Sequence, residues 1–217
     1  MNGSAQRLPG MLWVGLGLLL GLLALAYLLS VAEYGQTRQK KLPVIAQVAD
    51  FMLTNQNNQV VTLADLSNHV WVADIIFTRC AGSCPIMSTE MKSLQDALPP
   101  ASQAKLVTLT TDPDYDTPAI LKRYGERYDA NFQRWTFLTG TKKELAGLAA
   151  GSLKLGSTPV APQDRQSPDD LFVHSTIFVV VDKQARLRGI FQTEGQGVDW
   201  AEVKPQILAT VKELEGR

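Results

Sequence analysis

Both cysteines of the 217-residue chain lie in one short segment, FTRCAGSCP at residues 77–85, with three residues between Cys80 and Cys84. A disulfide across so short a loop removes little chain entropy and contributes about 2 kcal/mol. The pair is therefore predicted to do chemistry, either redox cycling or metal binding. Two independent buried cysteines would rarely lie so close together, and a structural zinc site would need four protein ligands.

The two thiols follow a predicted buried strand and precede a predicted helix. The run VWVADIIF at residues 70–77 is apolar and rich in β-branched side chains, as expected for a central strand. Apolar residues then recur at helical spacing from Pro85 to Leu98. Ligands bind at the carboxyl ends of strands in open α/β sheets, and a helix N-terminus favours the thiolate form of cysteine. This context predicts reactive cysteines.

The remaining chain alternates between strand-like and helix-like segments, which predicts a mixed sheet covered by helices. Helix starts are predicted at Thr117 with Pro118, and at Thr141 with Glu144 as a capping box. The Pro-rich stretch at 156–170 is predicted to be a loop. Further predicted elements are a hairpin of ADFML and QVVTL, strands at 105–111 and 135–139, a hairpin of 171–182 with 185–192, and a closing helix at 198–214.

Residues 10–32 carry no charge over 23 positions, which is long enough to cross a hydrocarbon core of about 30 Å. They are predicted to form a transmembrane anchor, between a tail at 1–9 and a polar tether at 33–43 that leads into one domain at 44–217. A cleavable signal peptide is the alternative, because Ser30-Val31-Ala32 has small residues at the spacing that a signal peptidase recognises. The length of the run favours the uncleaved anchor, since signal peptides have about 7–15 apolar residues.

The charge of the chain argues against nucleic acid as a partner. Lys+Arg and Asp+Glu both number 21, so there is no general excess of positive charge.

Basic residues are more numerous after the apolar run than before it, and a simple count would keep the domain in the cytoplasm. Arg7 precedes the run, and Arg38, Lys40 and Lys41 follow it.

The chain has only two histidines to add to a metal site. His174 lies in FVHSTIF, where the Pro-rich loop enters an apolar strand, and a lone histidine there is more often structural than a ligand. His69 is predicted to be a solvent-exposed loop residue. Met87 and Met91 lie four apart on the predicted site helix, and core packing is favoured over thioether ligation.

Charged residues near the cysteines are weaker candidates. Asp112, Asp114 and Asp116 alternate as calcium ligands do, but the Gly and the terminal Glu of an EF-hand loop are absent. They are interpreted as a capped loop near the site, with Asp112 as a candidate to orient a ligand. Arg79, beside Cys80, is predicted either to stabilise a thiolate or to meet a partner's surface.

Five motifs occur in an order that resembles the Sco/SenC family of membrane-anchored, thioredoxin-like copper proteins involved in assembling cytochrome c oxidase. The resemblance covers about residues 44–216. Each motif is weak alone, but the ordered set with CxxxCP and a distant histidine is specific. The motifs are FTRCAGSCP, TDPDYDTP at 111–118, WTFLTG at 135–140, HST at 174–176 and VVDKQARL at 180–187.

The resemblance implies a thioredoxin-like mixed sheet flanked by helices, with copper bound as Cu(I) or Cu(II) by Cys80, Cys84 and His174. It implies two kinds of partner: the copper-centre subunit of cytochrome c oxidase, and an upstream copper donor or thiol reductase. It also implies a single-pass protein of the bacterial inner membrane with its domain in the periplasm, against the Lys/Arg count. Thiolates are soft ligands suited to Cu(I), and one imidazole would complete a site with few ligands.

Two functions remain open at this point. The first is a copper metallochaperone that delivers copper to the dinuclear centre of the oxidase, and the second is a thiol–disulfide oxidoreductase that keeps the cysteines of that centre reduced. The family commonly has proline after the first cysteine, where this chain has Ala81. The stretch VHST also lacks the proline that thioredoxin-like oxidoreductases carry opposite their cysteines, which favours the chaperone. A peroxidase is disfavoured, because its activated lone-thiol motif is absent.

Overall fold

The computed structural model describes residues 10–36, 42–165 and 171–216, and the chain divides into two compact units, Met1–Leu42 and Pro43–Arg217. In the first unit, helix α1 covers the 27 residues Gly10–Gln36, and all of its described side chains are exposed. Within the described residues, no helix combines the length and the apolarity needed to span a membrane. The predicted transmembrane helix at 10–32 is therefore not confirmed, and the tail at 1–9 and tether residues 37–41 lie outside the described residues.

The second unit contains the strands and the remaining helices. The strands are β1 (Ala46–Gln47), β2 (Met52–Asn55), β3 (Val60–Thr62), β4 (Trp71–Ile76), β5 (Lys105–Thr110), β6 (Trp135–Thr139), β7 (Ser157–Pro159), β8 (Phe172–His174), β9 (Ile177–Val181) and β10 (Arg186–Gln192). The helices are α2 (Leu63–Leu66), α3 (Ser83–Ala97), α4 (Pro118–Arg127), α5 (Lys142–Ala146) and α6 (Trp200–Glu215). A π-helical turn continues α5 over Gly147–Leu153, and a 3-10 turn covers Pro162–Asp164.

In the described part of the chain, eight strands form one mixed sheet in the order β1-β10-β9-β4-β5-β6-β2-β3, and β7 pairs with β8 in a separate hairpin. Strand β4 runs parallel to β5, and β5 runs parallel to β6, whereas β9 and β2 join this parallel centre in antiparallel fashion. All six residues of β4 are buried, as its continuous apolar run predicts. The segments that follow β4 and β5 therefore leave from the same edge of the sheet, where ligands bind in folds of this kind.

The two faces of β4 contact different parts of the core. Trp71, Ala73 and Ile75 belong to a large apolar cluster on one face. Because side chains alternate along a strand, Asp74 points to the opposite face. Helix α3 buries Met87 and Met91 completely, which agrees with the core role predicted for both.

Most predicted elements are confirmed, and the differences concentrate around the predicted loop at 156–170. Its first part contains β7, which pairs with β8, so the prediction of an irregular loop is wrong there; residues 166–170 lie outside the described part. The strand predicted at 171–182 is broken into β8 and β9. The capping box of Thr141 and Glu144 forms as predicted. Helix α6 begins at Trp200, because the Asp199 carboxylate accepts a hydrogen bond from the Ala201 amide at 2.8 Å.

Candidate metal centre

The turn between β4 and α3 holds both cysteines. Its first bend is closed by the Cys80 amide, which donates to the Phe77 carbonyl at 3.2 Å. The Gly82 amide lies 3.4 Å from Cys80 Sγ, and the Phe77 amide lies 3.5 Å from Cys84 Sγ, so each sulfur faces a backbone donor. Cys80 is partly exposed, whereas Cys84, in the first turn of α3, is fully buried, and both are free thiols. One sulfur is therefore accessible and the other is not.

The β7–β8 hairpin brings His174 to the thiols. His174 pairs with Ser157 in that hairpin, and its ring meets the edge of Phe77 with 5.9 Å between ring centroids. The ring Nδ1 lies 3.3 Å from the Ser175 carbonyl oxygen. A carbonyl can only accept, so Nδ1 donates, and in the neutral imidazole Nε2 keeps its lone pair. His174 is thus oriented with Nε2 as the ligand atom.

Cys80, Cys84 and His174 form one cluster, as the resemblance implied. Their ligand atoms all lie within 4.8 Å of one another, and Cys84 Sγ is 3.0 Å from His174 Nε2. No other group of three or more His, Cys, Asp or Glu side chains close enough to hold a metal occurs among the described residues. A three-ligand set of two sulfurs and one imidazole is incomplete for a closed zinc site and suits a metal that accepts few ligands.

The electrostatics of the cluster distinguish the two thiols. A hydrogen bond from the Cys84 side chain is the main cause that lowers the pKa of Cys80 to about 4, with His174 acting in the same direction against partial burial. Burial raises the pKa of the Cys84 thiol far above its usual range. For His174, burial lowers the pKa, but the hydrogen bond to Cys80 and its negative charge outweigh burial and the net direction is upward. Cys80 is the thiol that ionises first.

Asp116 anchors the start of the cysteine turn, a role that the motif TDPDYDTP did not reveal. Its buried carboxylate accepts from the Thr78 amide at 3.1 Å and from the hydroxyls of Thr78 and Thr110. These bonds tie the residue two before Cys80 to the end of β5. No local sequence pattern could have predicted this contact, because Thr78 and Asp116 are 38 residues apart in the chain.

Asp112 and Arg79 form an ion pair instead of orienting a ligand. Asp112 Oδ2 lies 2.5 Å from Arg79 Nη2, and the Arg79 guanidinium carbon lies 4.1 Å from the centre of the Tyr115 ring. The groups that lower the pKa of Cys80 are Cys84, His174 and backbone amides, whereas the Arg79 guanidinium pairs with Asp112. Asp112 therefore acts on the residue before Cys80, and Asp114 pairs with Lys142.

Asp74 is a buried acid and the one charged residue in the apolar run VWVADIIF. Its side chain is fully buried, and neither carboxylate oxygen has a hydrogen-bond partner among the residues that the structure describes. Burial raises its pKa to about 7, although the side chain of Thr108 and the charge of His174 act in the opposite direction. His69 lies in a bend as predicted, but it is half-buried, with Nδ1 3.0 Å from the Gln103 carbonyl oxygen.

Comparison with known proteins assigns the chain to a family. The SCO1/SenC family model matches residues 39–208. The chain belongs to the SCO1/SenC family. Among its relatives, the SCO1 protein homolog of Bacillus subtilis is 32% identical over 152 residues, which cover 69% of this chain and 76% of the relative. The family expected from the ordered motifs is therefore confirmed.

Solved structures of Sco proteins have the same architecture. BsSco is a member of the Sco family of cytochrome c oxidase assembly proteins, and a disulfide switch was identified in it. It superposes with a TM-score of 0.66 at 28% identity, over 82% of this chain and 99% of BsSco. ScoI of Bradyrhizobium japonicum, solved with copper bound, gives a TM-score of 0.60 at 21% identity, over 78% of this chain and 99% of ScoI. The predicted thioredoxin-like mixed sheet flanked by helices is confirmed for the domain of this SCO1/SenC chain.

Proposed function

We propose that this chain is a copper metallochaperone that binds copper through Cys80, Cys84 and His174 and delivers it to the dinuclear copper centre of cytochrome c oxidase during assembly. The observation that carries the proposal is the convergence of these three ligand atoms within 4.8 Å. Two thiolates and an imidazole suit copper, and thiolates in particular suit Cu(I). Membership of the SCO1/SenC family supports the same cargo.

Release of copper follows from the unequal burial of the two sulfurs. Cys80 is partly exposed and Cys84 is buried, so an incoming ligand from a partner reaches the metal from the Cys80 side. The partner ligand binds as the Cys80 sulfur leaves, and the ion passes without being set free in solvent. Metal binding requires the deprotonated thiols, and the low pKa of Cys80 favours that form.

A thiol–disulfide reductase is the second candidate, because one partly exposed thiol of low pKa stands beside one buried thiol. In that reaction the Cys80 thiolate attacks a partner disulfide and forms a mixed disulfide, releasing one partner thiolate. Cys84 then attacks Cys80 Sγ, its thiol proton passes to the departing sulfur, and the second partner sulfur leaves as a thiol. The partner gains two electrons, and Cys80 and Cys84 are oxidised to a disulfide. BsSco, with its disulfide switch, is a relevant relative.

The proposed place of action is the periplasmic side of the bacterial inner membrane, where the recipient copper centre lies. The apolar run at 10–32 would anchor the chain there by a single span. Protease added to spheroplasts should digest the domain, whereas protection would place the domain in the cytoplasm, as the Lys/Arg count suggests. The proposed partners are the copper-centre subunit of the oxidase and an upstream donor of copper or of reducing equivalents.

The test combines copper binding with oxidase assembly. Full-length chain in detergent is loaded with Cu(I) after reduction or after oxidation; reduced protein should retain stoichiometric copper, and the disulfide form should retain none, because a disulfide has no thiolate. Strains that carry His174→Ala, Cys80→Ser or Cys84→Ser are then compared for oxidase activity. Failure of all three supports metal handling. Normal oxidase with His174→Ala, together with failure of both cysteine variants, would replace the chaperone with the reductase.

A further inference from the structure

A groove beside Cys80 concentrates positive charge on a chain that has no net charge. It measures about 610 Å³ and runs from the residues just before Cys80 to the outer side of α4. Three arginines line it, namely Arg79, Arg123 and Arg127, and Glu126 is the acidic residue among the lining side chains. We refer to it as the arginine groove. Its lining carries an excess of two positive charges, three arginines against one glutamate.

Aromatic rings hold two of these guanidinium groups in place. Arg79 lies over the Tyr115 ring at 4.1 Å, and Arg127 lies over the Tyr124 ring at 4.8 Å. Tyr124 is itself buried, and its hydroxyl is hydrogen-bonded to Ser88 at 2.7 Å. A guanidinium held over a ring can still donate its N–H groups to a carboxylate, as Arg79 does to Asp112.

The positive charge of the groove is only partly neutralised by the chain. Asp112 pairs with Arg79, whose side chain stays 40% exposed. Arg123 is exposed, and within the described part of the chain neither it nor Glu126 forms an ion pair. Among the described residues, Arg123 and Arg127 have no acidic ion-pair partner, and they line the same groove as Thr78 and Arg79, the two residues before Cys80.

We propose that the arginine groove receives an acidic surface of the protein that exchanges copper with this chain. The inference rests on the proposed function and adds the chemistry of its partner: carboxylates placed next to copper ligands. Arginine pairs with carboxylates through two parallel hydrogen bonds, and several such pairs fix orientation as well as proximity. Because Arg79 directly precedes Cys80, a partner held in the groove has its own ligands beside the accessible sulfur. An open groove with aromatic walls suits a protein surface better than a small anion.

The test uses two synthetic peptides of equal length as copper acceptors, each with two cysteines, flanked in one by glutamates and in the other by lysines. Full-length chain loaded with Cu(I) is mixed with each peptide, and the transfer rate is followed by stopped flow. We expect the glutamate peptide to take copper at least about 10-fold faster at low salt, because charge steering raises association rates by about 10–1,000-fold. The difference should disappear near 1 M salt, where the screening length is about 3 Å.

Charge reversal in the groove provides the second arm. Arg123→Glu with Arg127→Glu should abolish the preference for the glutamate peptide while Cu(I) binding stays normal. Lys143→Glu with Lys212→Glu makes the same change in net charge at exposed lysines outside the groove and should keep the preference. Arg123→Glu alone is included because Arg123 has no ion pair to lose within the described residues, so its reversal should weaken the preference without affecting folding.

Binding of copper-free peptides with serine in place of cysteine is measured by fluorescence anisotropy, so the groove is tested separately from the copper site. If the wild-type chain binds no Cu(I) but still prefers the glutamate peptide, the proposed function is wrong and the groove proposal stands. Equal affinity for both peptides, or an unchanged preference in the groove variants, would overturn the groove proposal. The groove proposal would also be overturned if the chain bound anionic phosphatidylglycerol vesicles and the groove variants lost that binding while their peptide binding was unchanged.

Discussion

The Nε2 atom of His174 lies 3.0 Å from Sγ of Cys84, although the two residues are 90 positions apart in the chain. The contact depends on the β7–β8 hairpin, in which His174 pairs with Ser157, and on the packing of Phe172 and His174 against Phe77. Phe77 is the residue between β4 and the cysteine turn. The same aromatic contacts that complete the core therefore position the third ligand.

Replacing His174 with Ala should lower Cu(I) affinity by more than about 100-fold, since changes to residues that merely orient metal ligands cost about 10–100-fold. The reversible Cys80–Cys84 disulfide should still form, because thiol exchange requires only thiolate and access. Competition titration with a Cu(I) chelator measures the affinity, and mass spectrometry after alkylation measures the disulfide. His69→Ala is the matched control, because its ring contacts the Gln103 carbonyl, away from the cluster. Equal losses in both variants would remove His174 from the ligand set.

Cys80 should be the thiol that reacts with alkylating reagents, and it should do so even in mild acid. Its pKa of about 4 means that the thiolate predominates above about pH 5 and is lost as pH falls through 4. Rates of iodoacetamide labelling between pH 4 and 8, mapped by mass spectrometry, should place the early label on Cys80 and leave buried Cys84 unmodified. Cys84→Ala removes the main hydrogen bond that lowers this pKa, so the labelling profile should move to higher pH. Preferential labelling of Cys84 would contradict the assignment.

Asp74 should make the protein less stable as pH rises. Its folded-state pKa of about 7 lies above the ordinary value of 3.8, so folding favours the protonated form. This difference in pKa corresponds to a free energy of about 4 kcal/mol. This stabilisation is complete below about pH 4 and is lost as pH rises through 7, with about 2–3 kcal/mol lost between pH 5 and pH 8. Urea unfolding of Asp74→Asn should show a smaller decline over that interval than the wild type. The exposed Asp50→Asn is the control and should follow the wild type.

A methyl group at Gly125 should destabilise the domain. A Cβ built there would lie 2.7 Å from a Phe132 ring carbon and 2.8 Å from a Phe137 ring carbon, closer than real contacts allow. Gly125→Ala should lower the free energy of unfolding by about 1–3 kcal/mol through overpacking. Gly147→Ala is the matched control, since Gly147 has helical φ of −62° and nothing within 4 Å of an added Cβ. It should be neutral or stabilise by about 0.5–1 kcal/mol. Similar effects of the two variants in urea unfolding would argue against the packing explanation.

Local patterns in the sequence determined the parts of the fold that neighbouring residues specify. The run at 70–77 predicted the buried strand β4, Thr141 and Glu144 predicted the start of α5, and WTFLT predicted β6 residue by residue. Hydrophobic alternation, helix capping and turn propensity act over a few residues, so they can be recognised in one segment at a time. The position of two cysteines between a strand and a helix likewise predicted a reactive pair.

Only the tertiary structure decided which distant side chains meet. His174 by itself resembled a structural histidine, and the loop at 156–170 gave no sign that β7 would pair with β8. The roles of Asp116, which binds Thr78, and of Asp74, whose carboxylate oxygens have no hydrogen-bond partner among the described residues, follow from burial that local pattern does not specify. Ligand distances, pKa shifts and the arginine groove all depend on groups that are far apart in sequence. The sequence by itself determined the elements and the reactive cysteine pair, whereas packing of the sheet, its helices and the β7–β8 hairpin determined the site. The reason is that contact free energies act between surfaces that exist only after folding.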